Sequence, residues 1–349
     1  MPNKIGYYVS GNTAEGFVNY LSSNTLDFHH HIILKHPSHT VKTMIIKEVI
    51  KEYETEDNLE ILYSSLGEEF LEGVIIRDKK IALIDERIGS ADLNGAFEMD
   101  LSLFTVDDVT TSDFSIERTQ IKSLTEDAYT NFETGLRIHD QLEDIYIKEM
   151  DFIKANKIAE EFIDTILKYG SPQGNNAQIY HRLFGTNTKD GVVNVVPDIL
   201  SQVSQKYFIK GRAGTGKSTF MKKIMTACRE HGFDVELYHC SFDPNSIDMV
   251  LVRDLDFCIF DSTDPHEFFP NGPGEEVIDM YDKAVTPGTD EKYSEEINEL
   301  TNSYKSYMKK GVICLKEAGD LLKNVEQNFV INDRDIEKVK SFIFRKIIE

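Results

Sequence analysis

The chain has 349 residues, room for about two domains at roughly 150 residues each. Its net charge of −22 repels phosphate backbones, so no nucleic-acid partner is expected, and no apolar run nears the ~20 residues that span a bilayer, so no membrane partner either. No signal-peptide pattern is apparent, and Cys228, Cys240, Cys258 and Cys314 lack metal-type spacing, which points to a cytoplasmic protein with reduced thiols.

Taken in chain order, the first half opens with "GNTAEGFVN" (11–19), read as a turn and helix, followed by the apolar strand "IILK" (32–35). A short loop comes next, His36-Pro37-Ser38-His39-Thr40-Val41-Lys42-Thr43, and then a helical pattern. The strand "LEILYSS" follows, and a further strand, "KIALID", closes on Asp85-Glu86. His29, His30, His31, His36 and His39 cluster here, but no Cys or carboxylate pattern supports a metal cage around them. Residues 136–167 carry apolar positions at helical spacing, with a bend expected at "EMDF" (149–152), and read as a hairpin arm packed on its own sheet, with a moving lid or partner-docking arm as the alternative. The Gly, Pro and Asn residues of "YGSPQGNN" (169–176) then mark a joint.

Beyond that joint the same order returns. At an offset of 175, residues 11–65 lie on 186–240 without a gap, and eleven of the fifty-five pairs are identical, among them Asn12/Asn187, Lys35/Lys210 and Lys42/Lys217. After one inserted residue, 74–85 lies on 250–261, aligning Asp85 with Asp261. The alternation of strands and helices predicts an α/β fold with mainly parallel sheets, in two tandem domains, 1–170 and 171–349. Each ends in a helical hairpin arm, the second formed by 293–324 and 335–347. Such copies are expected to pack as a pseudo-dimer. Arg87 is then the basic residue of the first half that could reach across, with surface solvation as the alternative.

The two loops differ. "GRAGTGKS" (211–218) fits the phosphate-binding pattern G-x-x-x-x-G-K-[ST] and sits between a strand and a helix, as that chemistry requires. Gly211, Gly214 and Gly216 allow backbone angles and close approaches that a Cβ blocks, and with Arg212, Ala213 and Thr215 they form the cradle for ATP. Lys217 is expected at the β- and γ-phosphates, Ser218 on Mg²⁺, and Thr219 at the α-phosphate. Asp261, ending the strand "FCIFD", is the second Mg²⁺ ligand. Many P-loop ATPases carry a Glu after this Asp; here the position is Ser262. Asp264 or His266 in "DSTDPHEFF" is therefore the candidate for orienting water, while His239 reads as a buried structural residue or a cleft residue. The first loop keeps Lys42 and Thr43 but has no glycine, and it carries Pro37 and a β-branched Val41. It reads as a relic, its half structural or regulatory.

"YHRLFGTNTKDGVVN", "KYFIKGRAGTGKSTFMKK" and "DSTDPH" resemble a family of bacterial tandem P-loop ATPases, best known from Gram-positive bacteria and mostly uncharacterised. The likeness covers essentially the whole chain. It implies duplicated P-loop domains and ATP binding and names no physiological substrate. Members usually have glycine-rich loops in both halves, from which the first half here departs. The expected function is slow Mg²⁺-dependent ATP hydrolysis in the second half. A kinase transferring the γ-phosphate and a non-enzymatic nucleotide-gated scaffold with an unidentified protein partner are the alternatives.

Overall fold

The computed structural model describes residues 4–54, 58–104, 114–168, 170, 176–264 and 267–348. The first half contains β1 (Lys4–Tyr7), β2 (Ser10–Thr13), β3 (Gly16–Asn19), α1 (Leu21–Asn24), β4 (His30–Lys35), α2 (His39–Tyr53), β5 (Leu59–Tyr63), β6 (Leu71–Ile76), β7 (Ile81–Asp85) and β8 (Ala96–Asp100). Two long helices follow, α3 (Ser115–Lys148) and α4 (Phe152–Leu167). The second half repeats the order with β9 (Ile179–Leu183), β10 (Gly185–Thr188), β11 (Gly191–Asn194), α5 (Val196–Leu200), β12 (Gln205–Lys210), α6 (Lys217–Glu230), β13 (Val235–His239), β14 (Ile247–Val252), β15 (Phe257–Asp261) and β16 (Glu275–Asp279). It closes with α7 (Met280–Ala284), α8 (Thr289–Lys292), α9 (Ser294–Glu326) and α10 (Asp333–Ile348).

The architecture is α/β, with two six-stranded mixed sheets. Their orders, β1-β5-β6-β7-β4-β8 and β9-β13-β14-β15-β12-β16, match strand for strand. Three of the five pairings in each sheet are parallel; β6 and β14 run antiparallel to both neighbours. The central strands are apolar on both faces, as a sheet packed on helices on one side and on the core between the halves on the other requires: β14, "IDMVLV", is buried throughout.

Two sequence expectations are corrected here. The segments 11–19 and 186–194 are antiparallel hairpins, β2-β3 and β10-β11, and not turns leading into helices. Gly16 and Gly191, at φ +90° and +107°, turn the chain back, and the Thr13 hydroxyl donates to the Gly16 carbonyl at 2.9 Å and Thr188 to Gly191 at 3.0 Å. The arms also do not fold back on their own sheets. The bend at 149–152 is present, with Asp151 capping α4. However, α3 packs antiparallel along α9, and α4 lies on α6 and α7 of the second half, where Ala159 and Phe162 join the core of Phe220, Met221 and Ile224. Reciprocally, α10 lies on α2, and Val325, Phe329, Val339 and Ile343 complete the core around Ile45, Ile46 and Val49. The apolar stripes were legible, but either sheet could have received them.

A third core joins the halves, running from Tyr7, Tyr8 and Phe28 to Leu183, Phe184 and Phe260. At its rim the buried Arg182 lies over the Tyr7 ring, 2.5 Å from Glu236 and 3.5 Å from Glu60. Arg77 of the first half pairs with Glu60, which Arg182 of the second half also approaches, so this carboxylate is held from both halves, while Arg253 joins Arg182 on Glu236. Because the cores interlock, residues 171–349 expressed alone lack α4 and should fail to give a cooperative thermal transition, whereas adding 1–170 should restore one. A monomeric 171–349 fragment that melts cooperatively would show that α4 is dispensable.

Candidate functional site

The second loop is built where β12 runs into α6. Gly216 occupies the N-cap of α6 at φ +78° and Gly214 lies at φ +72°, left-handed angles that β-branched and bulky residues resist. Thr215 is buried and ties the loop to itself, its hydroxyl donating to the Arg212 carbonyl at 2.8 Å. Lys217, the first helical residue, turns its ammonium over the loop, donating to the carbonyls of Arg212 at 2.8 Å and Gly211 at 3.4 Å, with Asp261 Oδ2 at 3.5 Å. The amide-lined start of α6 and a lysine thus converge on one concavity, an arrangement suited to an anion.

The remaining expected residues are placed as follows. Ser218 sits in the first turn of α6, its Oγ accepting the Ile247 N–H at 2.9 Å, which brings it to the start of β14. Thr219 is exposed on the same turn. Arg212 points outward to Asp290 Oδ2 at 3.0 Å and over the Tyr281 ring, while Ala213 packs against the α3 cluster around Tyr146. Asp261 ends β15 and accepts the Thr263 N–H at 3.0 Å. Ser262 is fully buried and braces the following loop, donating to the Phe268 carbonyl at 2.7 Å. Asp264 is exposed and paired with Lys305 of α9 at 2.6 Å. His266 lies outside the described residues. His239 is structural: it stacks on Tyr20, and its ring nitrogens face His181 at 2.8 Å and the Pro244 carbonyl at 2.6 Å.

Two acidic side chains belong to this site that motif reading missed. Asp248 lies directly across from Asp261, because Met249 pairs with Phe260 in the antiparallel β14–β15 ladder. It is buried, and burial, with Asp261 opposite, pushes its carboxyl up to about 7. The signal was available: an Asp inside an otherwise apolar strand, matched at the repeat position by Glu72. The second is Glu143, on α3 of the other half. The α3 backbone lies so close to Gly214 that a Cβ there would meet the Glu143 carbonyl oxygen at 2.4 Å. Burial and then Asp140 push the Glu143 carboxyl up, while Lys217 and the Gly214 amide draw it down. His139, one turn earlier, is 3.7 Å from Glu143, and burial and Lys217 push it down to about 4. No repeat comparison could place these residues, because α3 reaches them by crossing between halves.

The first loop takes another form. Without glycines, residues 39–41 wind into α2, which starts three positions earlier than α6 relative to the aligned lysines. Ser38 caps the helix, accepting the Val41 N–H at 3.1 Å. The free amides of His39 and Thr40 are taken by the carboxylate of Glu326, from the end of α9, each at 2.9 Å, and Ser38 Oγ donates to it at 2.5 Å. Lys42 is buried on Asp85 at 2.8 Å, with Glu86 at 3.3 Å, and His39 holds the other Asp85 oxygen at 3.0 Å. Arg87 turns inward to Glu72 and Ser65 and over the Phe17 ring, so it neither solvates the surface nor reaches the second loop.

No family model, no curated protein and no solved structure matches the chain. Among the described residues no helix is long and apolar enough to cross a membrane, and no group of three His, Cys, Asp or Glu is placed to hold a metal ion.

Proposed function

We propose that the chain is a tandem pair of P-loop NTPase-like units that binds one ATP with Mg²⁺ at the second loop and hydrolyses it slowly. The observation that carries this reading is the second loop itself: left-handed Gly214 and Gly216 between a strand and a helix, with Lys217 over the cradle 3.5 Å from the strand-terminal Asp261. The donors nearby are oxygens, Ser218 Oγ and the Asp261 carboxylate. That set suits a hard cation such as Mg²⁺, which takes one or two carboxylates and completes its shell with phosphate and water. Bound there, Mg²⁺ would neutralise charge between the β- and γ-phosphate oxygens.

Lys217 is positioned to exchange its two loop carbonyls for phosphate oxygens. Asp248 is assigned as proton acceptor, in the role that a Glu after Asp261 would otherwise fill. A water attacks the γ-phosphorus, its proton passes to Asp248, and ADP leaves. A carboxyl group near neutrality is poised for that transfer, whereas Asp264 is already neutralised by Lys305. Asp248→Asn should therefore lower phosphate release by about 100-fold or more while ATP binding survives, the low end of what a general base contributes. Asp264→Asn should change it little. The reverse order of effects would return the role to the 262–268 loop, and ATP binding without turnover in the wild type would favour a nucleotide-gated scaffold.

A further inference from the structure

A cavity of about 370 Å³ lies between the halves, away from the second loop. That size falls in the range of about 300–1,000 Å³ typical of small-molecule sites, which favour the junctions of domains. It opens beyond the carboxyl ends of β5 and β7, which run the same way, the place where open α/β sheets take their ligands. Leu66 follows β5 and Arg87 follows β7, while α3 and α9 close the cavity from above. Its wall is mostly apolar, with Phe17 and Leu66 from the first half facing Leu315 and Leu322 of α9. Lys189 of the β10–β11 turn contributes its stem, laid on Gly319 so closely that a Cβ there would meet it at 2.5 Å. Its ammonium is committed to Glu69 at 3.1 Å and Asp190 at 3.4 Å. Tyr129 and Asn12 satisfy one another at 2.8 Å.

Arg87 is different. Its Nη1 donates to Glu72 and, at 3.0 Å, to Ser65 Oγ. The guanidinium lies 4.2 Å from the centroid of the Phe17 ring, which fixes its plane. Its Nε and Nη2 have no hydrogen-bond partner among the described residues. That edge is the planar fork that matches a carboxylate with two parallel hydrogen bonds. A second cation, Lys122, stands at the rim, 78 % exposed, with Glu126 at 3.8 Å. The repeat position of Arg87 is Thr263, so this cation is particular to the first half. We propose that the cavity binds a small organic anion, an apolar body carrying one carboxylate, with the body against Phe17, Leu66, Leu315 and Leu322 and the carboxylate on the Nε–Nη2 edge of Arg87. The chain's net charge of −22 does not forbid this, because exposed charges more than about 8 Å away are largely screened at physiological salt. The site gives the first half a ligand of its own, although its loop is filled by Glu326. It also draws on both long helices, so an occupant ties α3 to α9. The proposal is independent of nucleotide binding at the second loop.

The test is calorimetric titration of the full-length chain with 1-naphthoate and, separately, with 1-naphthylmethanol, which keeps the rings and lacks the charge. The wild type should bind one naphthoate per chain with a Kd below about 1 mM, and the alcohol about tenfold more weakly, the scale of one charge-assisted hydrogen bond. Thr125→Trp, which puts an indole into the cavity from α3, should weaken both ligands about tenfold or more. Arg87→Lys keeps a cation on Glu72 and removes the fork, so it should weaken naphthoate about tenfold and leave the alcohol unchanged. It supplies the decision if the crowded Thr125 variant does not fold. Lys122→Glu, at the exposed rim, should weaken naphthoate about threefold and spare the alcohol. Lys217→Ala should bind naphthoate as the wild type does. Absence of naphthoate binding to the wild type would overturn the proposal, as would equal affinity for the alcohol. So would undiminished naphthoate binding in Arg87→Lys or in a folded Thr125→Trp chain. Loss of naphthoate binding in Lys217→Ala would place the ligand at the second loop and overturn it as well.

Discussion

Lys217→Ala should weaken Mg²⁺–ATP binding by roughly 100-fold, about 3 kcal/mol, the upper range for a hydrogen bond to a charged group. The lysine is partly accessible, and its present partners are two backbone carbonyls and a distant carboxylate. Removing it leaves no buried charge stranded, so the variant should melt within about 1 kcal/mol of the wild type, as substitutions away from buried networks usually do. Equilibrium dialysis and thermal unfolding on the same sample separate the two effects. A variant that unfolds, or one that binds as before, would contradict the assignment of Lys217 as a ligand-facing cation.

The aligned lysine should behave in the opposite way. Lys42 is 1 % exposed and holds Asp85, itself buried, at 2.8 Å. Lys42→Ala should cost about 3–5 kcal/mol of folding stability, because it leaves a buried carboxylate short of its cation. Against a total of about 5–15 kcal/mol for an ordinary domain, that is a large share. Nucleotide binding per folded molecule should be unchanged. A Lys42→Met, Asp85→Asn double variant should recover most of the loss, since both charges are removed together. The pair also sets an acid limit. Burial pushes the Asp85 carboxyl up, but His39 and Lys42 outweigh it and hold it well below the carboxylate range. A depressed acid contributes fully above its unfolded value near ~4 and loses that contribution as pH falls toward its folded value. As pH falls the wild type should therefore lose this contribution while the Lys42 variant has less of it to lose, so the stability gap between them should narrow, which chemical denaturation between pH 3 and 6 would measure.

These contrasting lysines show how far the residues themselves could be read. The repeat was legible from gapless identities, and with it the matched strand orders and the loop that has lost its glycines. The antiparallel strands β6 and β14 were not separated from their neighbours, because "VIIRDKKIALID" runs two apolar strands together across a tight turn at Arg77–Lys79. The hairpins at 11–19 and 186–194 read as a turn and helix because their strands are too brief for a period of two to stand out. The crossing of α4 and α10 was out of reach in principle. Periodicity says which face of a helix is apolar, and both cores offer an apolar surface of the same design. Asp248 was within reach, since a lone acid in a buried strand needs a reason. Glu143 and Glu326 were not, since their neighbours exist only after the helices cross.

On the proposed function one loop binds nucleotide, and the other is filled by the chain's own Glu326 carboxylate. Titrating full-length protein with Mg²⁺–ATP by calorimetry tests it most directly. The wild type should show one site per chain and Lys217→Ala none over the same concentration range. Two sites per chain, or a single site that survives in Lys217→Ala, would contradict it.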